Sequence, residues 1–308
     1  MRNAFADEIT KLSMADSRIV LLSGDIGNKL FDTFKKESGN RFLNCGVAEG
    51  NMMGVAAGMA LSGLRPIIYT ITPFTTTRCY EQIRVDACYH NVPVTIVGTG
   101  SGFTYAELGP THHSCEDLAI MRVLPNMTVL APADEVELRQ CLQATLKQNG
   151  PVYIRIGKKG EAITPKKDNN FEIGQSITVR EGSDVCLIST GILLPIVMKA
   201  AEILSSQGVS ARVESFHTIK PLDQKTLHDA FTNYSVVAVV EEHHKIGGLG
   251  GSVAEWLALQ DSTKGRMISF GADDGFMHEV GSQKYAREKY GLTSENISRQ
   301  VLEAYKPS

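Results

Sequence analysis

The 308-residue chain has one tryptophan, only 7% aromatic residues and no uninterrupted apolar run of bilayer-spanning length. A transmembrane helix needs about 20 consecutive apolar residues, so none is expected. No charged-then-apolar leader opens the sequence, which makes a cytoplasmic protein the expectation. An excess of one charge is also missing: 31 Lys and Arg stand against 34 Asp and Glu, a net −3. Such a balance gives no footprint for nucleic acid or an anionic membrane. The six cysteines are scattered without a Cys-x-x-Cys pair. Neither a zinc site nor a disulfide scaffold is indicated, and buried free thiols are expected. What remains is an ordinary globular composition, 43% hydrophobic and 21% charged, with chain enough for two domains.

Apolar runs suited to buried parallel strands alternate with helical patterns: Ile19 to Leu22, Pro66 to Thr70, Val92 to Gly98, Thr128 to Ala131 and Val152 to Ile156. A polar, Lys-rich stretch from Gly157 to Asn170 then interrupts, and Pro165 argues against a helix there. A second alternation follows: strand Val185 to Ser189, helix Leu193 to Ser206, strands Ala211 to Phe216 and Ser235 to Glu241, helix Ser252 to Gln260, strand Met267 to Phe270. The expectation is an α/β protein of two consecutive, independent parallel-sheet domains, residues 1–160 and 179–308, joined by a linker at 161–178.

Chemistry-bearing residues collect where loops follow strands. Gly46-Val47-Ala48-Glu49-Gly50 sets one acid at the mouth of the uncharged helix Asn51 to Leu61, which Gly63 closes as a left-handed cap. Gly54 and Gly58 would let another backbone approach this helix closely. A carboxylate entering such an apolar surface suits a proton-sharing role; an acid merely stabilised by the helix dipole is the alternative. Gly98 to Gly102, continuing to Gly109-Pro110-Thr111-His112-His113, is a glycine-rich loop after a strand, the position at which open α/β sheets bind ligands. His112 is its candidate for proton transfer, and Phe74, also after a strand, could stack on a heteroaromatic ring or fill the core. Gly247-Gly248-Leu249-Gly250-Gly251 precedes a helix and could cradle an anion. Its spacing does not match a dinucleotide fingerprint, and a tight turn for close packing fits better.

Taken in order, Gly46-Val47-Ala48-Glu49, Gly109-Pro110-Thr111-His112, Glu116-Asp117, Arg122-Val123-Leu124-Pro125-Asn126, Pro132-Ala133-Asp134, Thr218-Ile219-Lys220-Pro221-Leu222-Asp223 and Glu241-Glu242-His243 resemble transketolase-type thiamine diphosphate enzymes. The resemblance implies a pyrimidine-binding domain followed by a transketolase C-terminal domain. It implies that Glu49 hydrogen-bonds the aminopyrimidine of the cofactor, favouring the tautomer that takes the thiazolium proton, and that Phe74 stacks on the same ring. Ile71 stands where the family often has a second aromatic. His112 matches the histidine that contacts the donor sugar. The cofactor would carry the electron sink, with the protein supplying binding, orientation and proton transfers.

The family's Gly-Asp-Gly and downstream Asn, which hold Mg²⁺ and the diphosphate, have no counterpart. Gly24-Asp25-Ile26-Gly27-Asn28 is only superficially similar and belongs to the opening strand. The resemblance therefore implies half of a split enzyme, with cofactor and Mg²⁺ ligands on a separate diphosphate-binding subunit, an α₂β₂ heterotetramer, and no activity alone. Leu108 stands where the family has an Asp before Gly-Pro-Thr-His, and Gly100 falls near a sugar-phosphate histidine. Both departures point to ketol transfer on a non-standard sugar. Arg2, Arg155 and Lys158 are the remaining candidates for a substrate anion. The alternatives are a 2-oxoacid dehydrogenase β subunit, an enzyme like 1-deoxyxylulose-5-phosphate synthase, and a non-catalytic scaffold subunit.

Overall fold

The computed structural model describes residues 1–27, 29–158, 160–166 and 170–305. Asn28 of the Gly24-to-Asn28 run and residues 167–169 of the expected linker lie outside them. The strands are β1 (Ile19–Ser23), β2 (Phe42–Asn44), β3 (Arg65–Ile71), β4 (Thr95–Thr99), β5 (Thr128–Leu130), β6 (Val152–Ile156), β7 (Ile177–Arg180), β8 (Val185–Ser189), β9 (Ala211–Ser215), β10 (Thr218–Lys220), β11 (Val236–His244) and β12 (Arg266–Ala272). They form a seven-stranded sheet in the order β10-β5-β6-β4-β3-β1-β2 and a five-stranded sheet in the order β12-β11-β8-β9-β7. β1, β4, β6 and β8 are buried at every residue, which is why they read as largely apolar runs, with Arg155 of β6 the charged exception.

Each sheet is parallel except for one edge. β7 runs antiparallel to β9, and β10, from the second half of the chain, runs antiparallel to β5 of the first. The two halves are therefore not independent. One apolar cluster runs from Met52, Ile68 and Ile96 through to Cys186, Phe231 and Trp256, so they also share a core. A separate cluster packs helix Arg2–Ala15 and helix Glu135–Thr145 on the other face of the first sheet, around Phe5, Tyr69 and Leu138.

The connecting segment is anchored by Lys166, whose buried ammonium reaches Asp134 at 2.6 Å and Glu137 at 3.4 Å. Asp134 is at the same time the N-cap of helix Glu135–Thr145, accepting from the Val136 and Glu137 amides. All six cysteines are unpaired, and five are buried. No helix among the described residues is long and apolar enough to cross a membrane.

Candidate active site

The helix Glu49–Leu61 starts at the acid itself and is followed by Gly63 at φ +89°, the left-handed stop. Its glycine stripe meets little of its own chain: an added Cβ would touch Gln82 from Gly50 and Asp86 from Gly54 no closer than 3.7 Å, and nothing within 4 Å from Gly58. Among the described residues, no other backbone makes the close approach expected at Gly54 and Gly58. Val47, Val55 and Leu61 are exposed around the same helix.

Glu49 is 2% exposed. Its Oε1 accepts a hydrogen bond from Arg78 Nη1 at 3.0 Å, while Oε2 is buried with no partner. Phe74 lies on the short helix Thr72–Thr75 directly after β3. That turn is drawn against β4 by a Thr72 Oγ1 to Thr99 carbonyl bond of 3.0 Å. Only glycine fits opposite it, since a Cβ at Gly98 would come within 2.9 Å of Thr72 Oγ1. The Arg78 guanidinium rests over the Phe74 ring, 3.9 Å from its centroid. The His112 ring meets Phe74 edge-on at 5.3 Å.

His112 rides on the loop between β4 and helix Asp117–Arg122, shaped by Gly100 and Gly102 at positive φ. A Cβ on Gly100 would strike the Tyr105 ring at 2.1 Å, and one on Gly102 would reach the Glu242 carbonyl at 2.8 Å. The second half of the chain clamps this loop. Glu242 Oε1 accepts from the Phe103 amide at 2.8 Å, and the His244 amide donates to the Cys115 carbonyl at 2.7 Å. Burial, reinforced by the Arg78 charge, pushes the His112 imidazole below its ordinary pKa and favours the neutral ring. Nδ1 shares a 2.9 Å hydrogen bond with Thr111 Oγ1, which leaves Nε2 for another partner.

The other sequence candidates divide. Lys158 belongs to the cluster's rim: its ammonium pairs with Glu107 at 3.2 Å and sits 4.6 Å above Tyr105, which neighbours His112 at 6.2 Å. Leu108 ends the same turn, 50% exposed. Ile71 is the half-buried last residue of β3. Arg2 lies beside buried Tyr69, which feels its charge, and its Nε is buried without a partner. Arg155 must be corrected as an anion-binding candidate. It lies within β6, 4% exposed, paired with buried Asp117 at 3.3 Å and donating to the Ser114 and Glu242 carbonyls at 3.1 Å each. Its charge is spent inside the protein.

The glycine-rich turn before helix Leu249–Leu257 already holds an anion. The Leu249 and Gly250 amides donate to Glu241 at 2.7 and 2.8 Å, so this helix start is capped by the chain's own carboxylate. Desolvation raises Glu241 to about 7 despite those two amides. Arg78 is the site residue that sequence reasoning missed. Its signal was a cation four residues beyond Phe74, a spacing that brings side chains together on a helical turn.

A buried acid with one free oxygen, an aromatic face and a neutral imidazole at the strand ends of an open α/β sheet define a ligand-binding enzyme site. Residues 1–160 match the family model of the transketolase pyrimidine binding domain, and residues 174–297 that of the transketolase C-terminal domain. The chain belongs to the transketolase family. It is 35% identical over 304 residues to a 6-deoxy-6-sulfo-D-fructose transketolase subunit, SqwH, of Clostridium sp. (strain MSTE9), covering 98% of this chain and 94% of that one. It is 32% identical over 307 residues to an apulose-4-phosphate transketolase subunit of Phocaeicola vulgatus, covering 99% and 97%. A solved split gene transketolase, an inactive beta4 tetramer, superposes with a TM-score of 0.88 at 35% identity, covering 98% of this chain and 97% of that one.

Proposed function

We propose that this chain is the pyrimidine-binding subunit of a split, thiamine diphosphate-dependent transketolase acting on a non-standard sugar. Residues 1–160 form the cofactor-facing unit, 161–178 the linker and 179–308 the C-terminal unit that braces the His112 loop. The observation that carries the reading is the orphaned Oε2 of Glu49, an acceptor buried beside a flat cation lying on Phe74. A buried acceptor without a donor is costly, and a protonated ring nitrogen of an aminopyrimidine supplies that donor. Phe74 offers the ring a stacking face. When bound, thiamine diphosphate supplies the carbon nucleophile and electron sink that ketol transfer needs. Neutral His112, with Nδ1 tied to Thr111, holds or moves a proton at a donor-sugar hydroxyl through Nε2.

The diphosphate and Mg²⁺ ligands are assigned to a partner subunit, because the family's Gly-Asp-Gly and downstream Asn have no counterpart in this sequence. The uncovered glycine stripe and exposed Val47, Val55 and Leu61, spread along the helix that Glu49 opens, suit such a partner in an α₂β₂ enzyme. We place this enzyme in the cytoplasm. Exposed Leu108, in place of a hydroxyl-binding acid, favours a non-standard sugar, and the two relatives are named for 6-deoxy-6-sulfo-D-fructose and apulose-4-phosphate. Lys158 and Arg2 remain the candidates for the substrate's anionic group.

The test is co-expression with a diphosphate-domain partner and a ketol-transfer assay with thiamine diphosphate, Mg²⁺ and a panel of phosphorylated, sulfonated and branched sugars. Cofactor-dependent transfer that vanishes with Glu49→Ala is expected. Full activity on xylulose 5-phosphate and ribose 5-phosphate would refute the substrate assignment. Pyruvate-dependent carbon dioxide release would move the chain to the oxoacid branch, and indifference to Glu49→Ala would make it a scaffold.

A further inference from the structure

The Arg78 guanidinium presents a flat face to Phe74 and an N–H edge to Glu49 Oε1, at 3.9 and 3.0 Å. A protonated aminopyrimidine has the same two features: a planar, delocalised cation with an N–H edge. We infer that Arg78 occupies the aminopyrimidine's place in the partner-free chain and must be displaced when the cofactor enters. This rests on the proposed cofactor role of Glu49 and Phe74.

The physical need is plain. The Glu49 side chain is 1% exposed, and a carboxylate buried that deeply without a cation is strongly unfavourable. Arg78 provides the cation. It can also leave: its own side chain is 43% exposed, and the ion pair and the ring contact are what hold it. The backbone beneath need not move. The hydroxyls of Thr75, Thr76 and Thr77 bond back to the carbonyls of Thr72 and Pro73, fixing the turn independently of the guanidinium. Arg78 therefore keeps a ready-made cofactor pocket ordered and electrically compensated, and competes for it.

Competition fixes the sign of the test. Thiamine diphosphate with Mg²⁺ is titrated calorimetrically into the assembled two-subunit complex carrying wild-type, Arg78→Ala or Arg78→Lys chains. Removing the competitor should tighten cofactor binding about tenfold in Arg78→Ala. Arg78→Lys, which keeps the charge and loses the flat fork, should tighten it by a smaller factor. Weaker or unchanged binding in both variants would overturn the inference. In the isolated chain, Arg78→Ala should lower the urea midpoint in the wild-type background and leave it nearly unchanged in Glu49→Gln. Equal losses in both backgrounds would overturn it too. A wild-type complex that binds no thiamine diphosphate, or binds it equally well with Glu49→Ala, would instead sink the cofactor reading beneath it.

Discussion

Replacing Arg155 with Met separates a buried structural cation from a substrate-binding one. The Arg155 side chain is 5% exposed and that of Asp117 is 1%. Asp117 also accepts the Tyr153 hydroxyl at 2.6 Å, while its Oδ1 has no partner even in the intact protein. Methionine fills much of the space but leaves that carboxylate buried without a countercharge, and removes the donor to the Ser114 and Glu242 carbonyls. Breaking one side of such a pair costs about 3–5 kcal/mol, a large part of the 5–15 kcal/mol typical of a folded protein. Urea denaturation of the purified chain reads this as a midpoint lower by about 1–2 M for a slope of about 3 kcal/mol/M. Adding Asp117→Asn should recover part of the loss, because an amide costs less to bury than an unpaired anion. In the assembled enzyme, turnover should fall as well, since Ser114 lies two residues beyond His112. A variant of wild-type stability whose only defect is a raised KM for an anionic sugar would refute the reasoning.

Gly248→Ala should be strongly destabilising although the φ there is an ordinary −76°: its Cβ would lie 2.0 Å from Glu241 Oε2 and 2.6 Å from His243 Nδ1. We expect a loss of about 3 kcal/mol and a melting point lower by roughly 5–10 °C, measured calorimetrically. An unchanged melting point would show that the Glu241 cap can shift. His217, stacked on Phe171 at 4.0 Å, is pushed from the usual 6.5 to about 4 by burial and by the Lys166 charge. The unfolded chain therefore binds the extra proton first. Stability present above pH 6.5 is lost as pH falls toward 4, by about 3 kcal/mol. His217→Phe should reduce the difference between urea midpoints at pH 7 and 4.5; His243, also near 4, acts in the same direction as His217, and Glu241, raised to about 7, in the opposite one. An undiminished difference would refute the assignment.

Strands buried on both faces were legible because they are made mainly of apolar residues, as in Ile19–Ser23 and Val185–Ser189. Edges were not. β2 and β10 are three residues each, too short to show a pattern, and β10 owes its existence to an open neighbour far earlier in the chain. The helix read as Ser252 to Gln260 begins three residues sooner, because Glu241 caps Leu249 and Gly250 from another strand and makes a glycine-rich turn helical. The run read as starting at Val92 enters the sheet only at Thr95, beyond Pro93. Glu49, Phe74 and His112 could be picked out singly from their loops, and Phe74 and His112 prove to be in ring contact. Arg155 could not be judged from its place near a strand end, because its partner Asp117 is 38 residues distant and reached only through the fold.

The strand swapped across the two halves has a consequence for synthesis. β6 ends at Ile156, yet the sheet it belongs to is completed only by Thr218–Lys220. At a translation rate of about 5–20 residues per second, roughly 3–13 s pass between the emergence of those two strands from the ribosome. Throughout that interval the outer side of β5 is an unpaired row of amides and carbonyls, inviting the same row on a neighbouring nascent chain. Truncation near residue 160 would make the interval permanent, so the natural cut between the two family modules is a poor place to divide this protein for expression.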